Sequence, residues 1–407
     1  MKHLIILGGG FAGLWAAMSA AGERAKAAVS GDNQEIKITL VSRDAYLVIR
    51  PRLYEGSGDD KRVLLKPLLD RMGVTFVQAS VEAIDPVAKE ISLSDNRRGS
   101  ESSGEILRYD SVILATGSQL KKLPVSGVEQ YSFSADTFED ATALDNQLER
   151  IAASRASISN TLVVVGAGFT GLELATELRS RLKKASDKQF RIVLVDRCEL
   201  AGQELGVNPK PYIDEALRLH DIELRMDASI SELKEDRVIL SDGEVIPTQT
   251  VVLATGLVAS SLAKAFGEDL DFHGRLEVSP DLLIPGFEGA FAAGDVASAY
   301  TDTRHKTLLS CQHAIQLGRY AGYNAVRVLC DKATKVYEQA FYATCLDLGD
   351  WGALFTTGWD RVADKTGAEG KAMKQMINTQ WIYPPSEAAT REEIFAFVAF
   401  EEEDKAA

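Results

Sequence analysis

The sequence predicts an α/β fold made of two similar parallel-sheet units and a small mixed region at the C-terminus. Three observations predict it. A glycine-rich turn, Gly8-Gly9-Gly10-Phe11-Ala12-Gly13, follows directly on the apolar run Leu4-Ile5-Ile6-Leu7. A second, Gly166-Ala167-Gly168-Phe169-Thr170-Gly171, follows Thr161-Leu162-Val163-Val164-Val165. Each has the order strand, tight turn, helix start. Further along, Ser111-Val112-Ile113-Leu114-Ala115-Thr116-Gly117 and Thr250-Val251-Val252-Leu253-Ala254-Thr255-Gly256 repeat another buried-type strand, each stopped by Ala-Thr-Gly. The same features in the same order read as an internal duplication.

In chain order, the first unit is expected to contain a helix to about residue 28, a polar insertion over 30–35 and a strand over 36–41. A polar Ser/Gly/Arg-rich loop over 95–104 and the first Ala-Thr-Gly strand complete it. The second unit carries a helix over 172–184, a strand over 191–195 and the second Ala-Thr-Gly strand. A third block starts near residue 331. Strands over 341–348 and 353–359 are joined at Gly349-Asp350-Trp351-Gly352, and a helix from about 368 to 379 precedes Pro384-Pro385. The acidic tail Glu401-Glu402-Glu403-Asp404 is expected to fray.

The glycine spacing has a chemical meaning. In G-x-G-x-x-G the first glycine allows the turn, and the second lets backbone approach a pyrophosphate. The third lets helix and strand pack closely. Free N–H groups and the positive end of the helix dipole then hold the phosphates. Two such turns predict two dinucleotides bound together, and the expected pair is FAD with a nicotinamide cofactor, hence hydride transfer. The fold is therefore read as two Rossmann-like dinucleotide-binding domains plus a small C-terminal αβ domain. The FAD domain is discontinuous, over 1–120 and 257–330. The NAD(P)H domain, 121–256, is inserted in it, and 331–407 forms the C-terminal part.

The expected contacts around the first turn are Gly8, Gly10, Phe11, Ala12, Gly13, Ser42, Arg43, Arg50 and the turn Ala115-Thr116-Gly117. Around the second they are Gly166, Gly168, Phe169, Thr170, Gly171, Asp196, Arg197, Thr255 and Gly256. Asp196 ends the strand after the second turn, where a carboxylate accepts from the ribose hydroxyls of NADH and repels a 2′-phosphate. The adjacent Arg197 keeps NADPH open as the alternative. Ser42 stands where the first unit would carry the matching acid.

The chain has 407 residues, 45% hydrophobic and 26% charged, with a formal net charge of -14. That length suits two or three domains with proper cores. An acidic chain is a poor partner for nucleic acid or anionic lipid. No apolar run reaches the roughly 18–20 residues that span a bilayer, and the four-residue run after Met1-Lys2-His3 is no signal peptide. Cys198, Cys311, Cys330 and Cys345 make no CxxC pair or zinc spacing. We therefore expect a cytoplasmic protein with free thiols, no metal, no nucleic acid and no stable membrane insertion, and we expect it to be a homodimer. No dithiol relay is possible, so electrons should pass straight from flavin to acceptor.

Three segments carry a more specific likeness. Gly166–Leu178 reads GAGFTGLELATEL, Ser310–Gly318 reads SCQHAIQLG, and Met373-Lys374-Gln375-Met376-Ile377-Asn378-Thr379-Gln380-Trp381-Ile382-Tyr383 follows. These resemble the GxGxxGxExAxEL segment, the AQxAxQxG segment and the start of the C-terminal region of type II NADH:quinone oxidoreductases. Cys311 replaces the alanine of the second, and we read it as a small packing residue. In the same way Gly289–Ala297, with Gly294 and Asp295, is similar to the second FAD motif of two-dinucleotide flavoproteins. The resemblance implies that Asp295 binds the ribityl chain and that Glu173 sits between nicotinamide and flavin. It implies that Gln312 and Gln316 face the flavin ring at the acceptor pocket, with Lys374 nearby. The i,i+4 spacing puts both glutamines on one helix face, and neutral amides can bond quinone carbonyls without titrating. Glu173 is expected in the first helical turn.

Two stretches depart from that pattern. The family's basic amphipathic C-terminus is replaced by Pro384-Pro385-Ser386-Glu387 and an acidic run. Its apolar loop is replaced by Ile49-Arg50-Pro51-Arg52-Leu53-Tyr54-Glu55. With Arg304, His305 and Lys306, Arg50 and Arg52 suggest a cationic rim that would draw an anionic quinoid acceptor. The resemblance implies a quinone or quinone-like small molecule as acceptor, while these two departures count against a lipid-soluble quinone. Two other readings stay open: an NADH-dependent reductase of a small electron-transfer protein, and a flavin-bearing redox sensor.

Overall fold

Five parallel strands carry the first glycine turn. Their order is Ala290–Ala292, Ser111–Leu114, Lys2–Leu7, Ile36–Ser42, Thr75–Gln78. Ile6 lies opposite both Leu40 and Ile113, and Leu4 to Leu7 are wholly buried. Near-continuous apolar strands of this kind belong to parallel sheets covered on both faces. Helix α1 (Phe11–Val29) leaves the turn and buries its small-residue stretch on the sheet. The computed structural model describes residues 1–29, 34–94, 104–154 and 156–400. Residues 30–33 of the expected insertion, 95–103 of the polar loop and the acidic tail lie outside the described residues.

The second sheet repeats the first. Its order is Ser132–Ser134, Thr250–Leu253, Thr161–Val165, Arg191–Val195, Ile222–Arg225, again all parallel. Helix α2 (Phe169–Ala185) leaves its glycine turn. In both units the Ala-Thr-Gly strand lies beside the glycine-turn strand, so the two turns meet at one end of the sheet. Each unit also inserts a three-stranded antiparallel meander ahead of its Ala-Thr-Gly strand. The sequence reading missed both, although strands such as Glu90–Ser94 alternate polar and apolar residues, because each is only three to six residues long. A two-stranded antiparallel ribbon, Ser118–Leu120 with Leu257–Ala259, joins the units.

Helix α3 (Cys311–Leu329) lies across α1. A β-carbon at Gly318 or Gly322 would collide with the carbonyl oxygen of Ala12 or Ala16, so the axes approach as closely as backbones allow. This contact fixes α3, at its eighth residue, against the first glycine turn. In the third block, Ala343–Asp347, Ala353–Thr357 and Val362–Lys365 form an antiparallel sheet. The third strand was not anticipated. Helix α4 (Gly367–Met376) follows and continues as a wider turn over Ile377–Trp381. Helix α5 (Arg391–Val398) was also missed, although Thr390 and Glu393 form a capping box at its start. Its Ile394 and Val398 are buried in the first unit's core. Leu346, Leu348 and Leu354 are buried in the second's. The third block thus packs across both units. Among the described residues no helix is long and apolar enough to cross a membrane.

Candidate functional site: two phosphate cradles and a buried ion pair

The first turn is shaped by contacts that only glycine tolerates. Gly8 has φ 111°, and a β-carbon on Gly13 would overlap the Gly8 carbonyl oxygen. At Gly10 nothing lies within 4 Å of where a β-carbon would stand. The backbone is therefore open to a close ligand at the position where a pyrophosphate must approach. Around this opening, Ala12 packs against Gly294, and Ser42 lies beside Gly9. Phe11 sits at the helix start and stacks near Trp15. Thr116 follows Ala115 against Gly8, and its hydroxyl is buried without a partner. Gly117 has φ 67° and ends the turn. Asp295 is half-buried beside the turn. Burial pushes its carboxyl up, while the Ser118 hydroxyl, donating at 2.6 Å, pulls it back. An open cradle, an orphaned hydroxyl and a half-buried carboxylate fit the pyrophosphate and ribityl hydroxyls of FAD.

The second turn repeats the geometry. Gly166 has φ 110°, and Gly171 meets the Gly166 carbonyl as Gly13 meets Gly8. Asp196 Oδ2 accepts from the Ala167 N–H at 2.6 Å and Oδ1 from the Cys198 N–H at 2.7 Å. Its carboxylate is thereby held beside the turn, with Arg197 exposed next to it. Thr170 is exposed at the helix start, and the Thr255 hydroxyl donates to the Lys121 carbonyl, ahead of Gly256.

Between the units lies a buried polar cluster. Glu173 Oε1 accepts from Lys374 Nζ at 2.7 Å and from the Asp347 N–H at 3.0 Å. Lys374 also donates to the Cys345 carbonyl at 2.8 Å. The two side chains are about equally buried, 6% and 7% exposed. Burial pushes Glu173 up to about 7, against the pull of the ammonium. Lys374 is disfavoured by burial, yet the carboxylate holds it protonated. Glu173 was expected in the first turn of its helix. It is the fifth residue of α2, past the reach of the dipole. Lys374 stabilises it instead. Gln312 lies beside the same strand, its amide meeting the Ala343 N–H at 3.4 Å and carbonyl at 3.5 Å. Gln316 follows one turn later, half-buried. Burial raises the Cys311 thiol to about 11 and Cys345 to about 12, so both stay protonated at neutral pH. Cys198, Cys311 and Cys345 are free thiols.

Several residues here escaped the sequence reading. Tyr54 donates to Asp347 at 2.9 Å, Lys371 pairs with Asp347 at 2.6 Å, and Asn378 donates to Glu55 at 2.8 Å. One signal was available: Asp347 is a charge within the apolar run Leu346-Asp347-Leu348. A ring stack was also missed. Trp359 stacks on Tyr342 at 4.2 Å and on His305 at 4.5 Å, and His313 lies parallel to Tyr342. Burial pushes His313 down to about 4. Its folded pKa is below the unfolded value, so the neutral form's stability is full above about pH 6.5 and lost as pH falls toward 4. Integrated over that window, the loss is up to about 3 kcal/mol. Urea titrations between pH 7 and 4 should show it, and His313→Leu should flatten the slope. An equally steep slope in the variant assigns the effect elsewhere.

The cationic rim is corrected by the structure. Arg50 is paired with Asp136 and donates to Ser118 at 3.0 Å. Arg52 lies between Glu55 at 2.8 Å, Asp60 at 2.9 Å and Tyr383 at 2.7 Å. His305 meets Asp302 at 2.7 Å, Lys306 meets Glu277, and Arg43 meets its neighbour Asp44 at 3.2 Å. Arg50, Arg52, His305 and Lys306 of the expected rim are thus paired with carboxylates, some from their own loops and others, Asp136 and Glu277, brought from elsewhere in the fold. Arg304 of the expected rim is exposed.

Comparison with known proteins agrees with this geometry. The profile of the pyridine nucleotide-disulphide oxidoreductase family matches residues 2–318. An NADH dehydrogenase-like protein of Mycobacterium tuberculosis is 37% identical over 390 residues, 95% of each chain. The type II NADH:quinone oxidoreductase of Staphylococcus aureus is 27% identical over 405 residues, 94% of this chain and 95% of that protein. NDH2 of Plasmodium falciparum, solved in complex with NADH, shares the fold over 98% of this chain and 97% of that one, with a TM-score of 0.76 at 13% identity. By the span of the profile and the identity of these relatives, the chain belongs to the pyridine nucleotide-disulphide oxidoreductase family.

Proposed function

We propose that the protein is an FAD-dependent NADH oxidoreductase that passes electrons to a quinone-type small molecule without a redox disulfide. The observation that carries this reading is the pair of like cradles joined by the ribbon Ser118–Leu120 and Leu257–Ala259. The Staphylococcus aureus relative's name supports a quinone-type acceptor. FAD, when bound, supplies hydride acceptance and electron storage between two substrates. The Gly8-Gly10-Gly13 turn and the start of α1 hold its pyrophosphate, and Asp295 accepts from its ribityl hydroxyls. The second turn and α2 hold NADH, with Asp196 on the ribose. Gln312 and Gln316 orient the acceptor by neutral hydrogen bonds, and the Glu173–Lys374 pair holds a proton at the buried end of the site. The protonated thiols of Cys311 and Cys345 take no part.

Purified protein should release FAD on heating, bleach with NADH in the absence of oxygen, and regain colour with a soluble quinone. Gln312→Ala should slow the return of colour about tenfold or more and leave bleaching nearly unchanged, because the nicotinamide docks on the other unit. FMN, or no flavin, would sink the reading; equal losses in both halves would reduce Gln312 to packing.

Cofactor choice gives a separate check. Wild type should favour NADH in kcat/KM, and Asp196→Ser should narrow the ratio to NADPH by about tenfold, since Arg197 then meets the 2′-phosphate unopposed. A tenfold preference for NADPH in wild type contradicts the role given to Asp196.

A further inference from the structure

The two cradles differ at their second functional glycine, Gly10 against Gly168. The space over Gly10 is empty, but the space over Gly168 holds a carboxylate. Glu204 Oε1 accepts from the Phe169 N–H at 3.2 Å and stands where a Gly168 β-carbon would be. Phe169 is the first residue of α2, and Gly168 offers no side chain to cap it. A carboxylate at a helix N-terminus satisfies a free donor and meets the positive end of the dipole, as a phosphate does. Glu204 therefore already occupies what a pyrophosphate would take.

We propose that Glu204 is an internal competitor for the dinucleotide at the second cradle, and so sets its affinity. The inference rests on the reading of that cradle as the NADH site. Two anions cannot share the same N–H donor at close range, so the pyrophosphate enters only as the Glu204 carboxylate leaves. The loop allows this. Glu204 is exposed and lies in a single turn, Gln203–Leu205, between Gly202 at φ 69° and Gly206 at φ 85°. The base of the loop is anchored independently: the Gly202 N–H donates to the Ala167 carbonyl at 2.8 Å, Arg361 donates to the Leu205 carbonyl at 3.4 Å, and Asn208 donates to the Asp360 carbonyl at 2.8 Å. The side chain can swing into solvent while the loop stays in place. The first cradle carries no such plug, which suits a resident cofactor. The second, by this reading, serves a substrate that must also leave.

The test compares wild type, Glu204→Gln and Glu204→Ala in the flavin-loaded protein. Calorimetric titration with ADP-ribose, which carries the pyrophosphate, is set against adenosine, which does not. Glu204→Ala should bind ADP-ribose about tenfold tighter than wild type, equivalent to about 1.4 kcal/mol. Glu204→Gln should fall between, because its amide oxygen still accepts from Phe169 but carries no charge. Adenosine affinity should not change. In steady state, KM for NADH should fall with kcat little altered. Binding of ADP-ribose to all three proteins without a gain, or with a loss that shows Glu204 to be a contact for the nucleotide, overturns this inference alone. Failure of all three to bind ADP-ribose overturns the NADH reading of the cradle and this inference with it.

Discussion

Lys374→Met should destabilise the protein by about 3–5 kcal/mol at pH 8, the largest single-residue effect expected from the buried cluster. The substitution leaves the Glu173 carboxylate without its ammonium in a site only 6% exposed. Burial already pushes that carboxyl up, and removal of Lys374 removes the main force pulling it down. The group will then escape its penalty by taking up a proton. This gives the effect a pH signature with a definite sign. The folded variant binds a proton that the unfolded chain releases above about pH 4.3. Its stability therefore falls as pH rises, by up to about 1.4 kcal/mol per unit, until the folded pKa is passed. Relative to wild type, the loss should be larger at pH 8 than at pH 6. Glu173→Gln added to Lys374→Met should recover much of the loss, since neither charge then remains. Urea midpoints of the three proteins at both pH values decide it. A pH-independent loss, or a double variant no better than the single, would show that Lys374 matters through its packing against Tyr54 and Phe169.

Gly13→Ala and Gly171→Ala should separate the two cradles. In each case the new methyl falls inside the van der Waals radius of a carbonyl oxygen, that of Gly8 or Gly166. Backbone at the heart of a turn has little room to yield, so the strand–turn–helix junction must open. Gly13→Ala should yield protein with little or no flavin. Gly171→Ala should keep its flavin but bleach with NADH at least about a hundredfold more slowly, or about 2.7 kcal/mol in transition-state binding. The flavin-to-protein ratio and rapid-mixing traces are the measurements. Full flavin in Gly13→Ala with loss in Gly171→Ala would exchange the assignments of the two turns. A folding failure in either is recognised by circular dichroism, and Gly10→Ala and Gly168→Ala, whose methyls meet no atom and only the Glu204 side chain respectively, then carry the comparison.

Much of the architecture was written locally. A glycine turn after an apolar run specifies its own strand, turn and helix start within about ten residues. Both units were therefore legible, together with Gly8, Gly10 and Gly13, Gly166, Gly168 and Gly171, and the strand-end Asp196. Shared order along the chain was enough to suggest the duplication, and four of the five strands follow the same order in both sheets, the edge strand beside the Ala-Thr-Gly strand coming from opposite ends of the two units. The absence of a dithiol spacing was equally legible, because it depends only on sequence separation.

What the tertiary structure alone decided were the partners of charged groups. Lys374 and Glu173 are two hundred and one positions apart, and Arg52 and Tyr383 three hundred and thirty-one. Local sequence showed Arg50 and Arg52 as a concentration of positive charge. Folding brought Asp136 and Asp60 to them and cancelled it. The meanders and α5 were missed for a related reason. Their strands and helix are short, too short for a local pattern to stand out, and they are stabilised by packing on α1 and on the larger sheets. Glu204 is the sharpest case. Nothing in its sequence neighbourhood distinguishes it from a surface glutamate, and only the fold places it over Gly168. Short-range steric rules act between neighbours in the chain and can be read there. Electrostatic pairing acts through space, so it is determined only once the chain has folded.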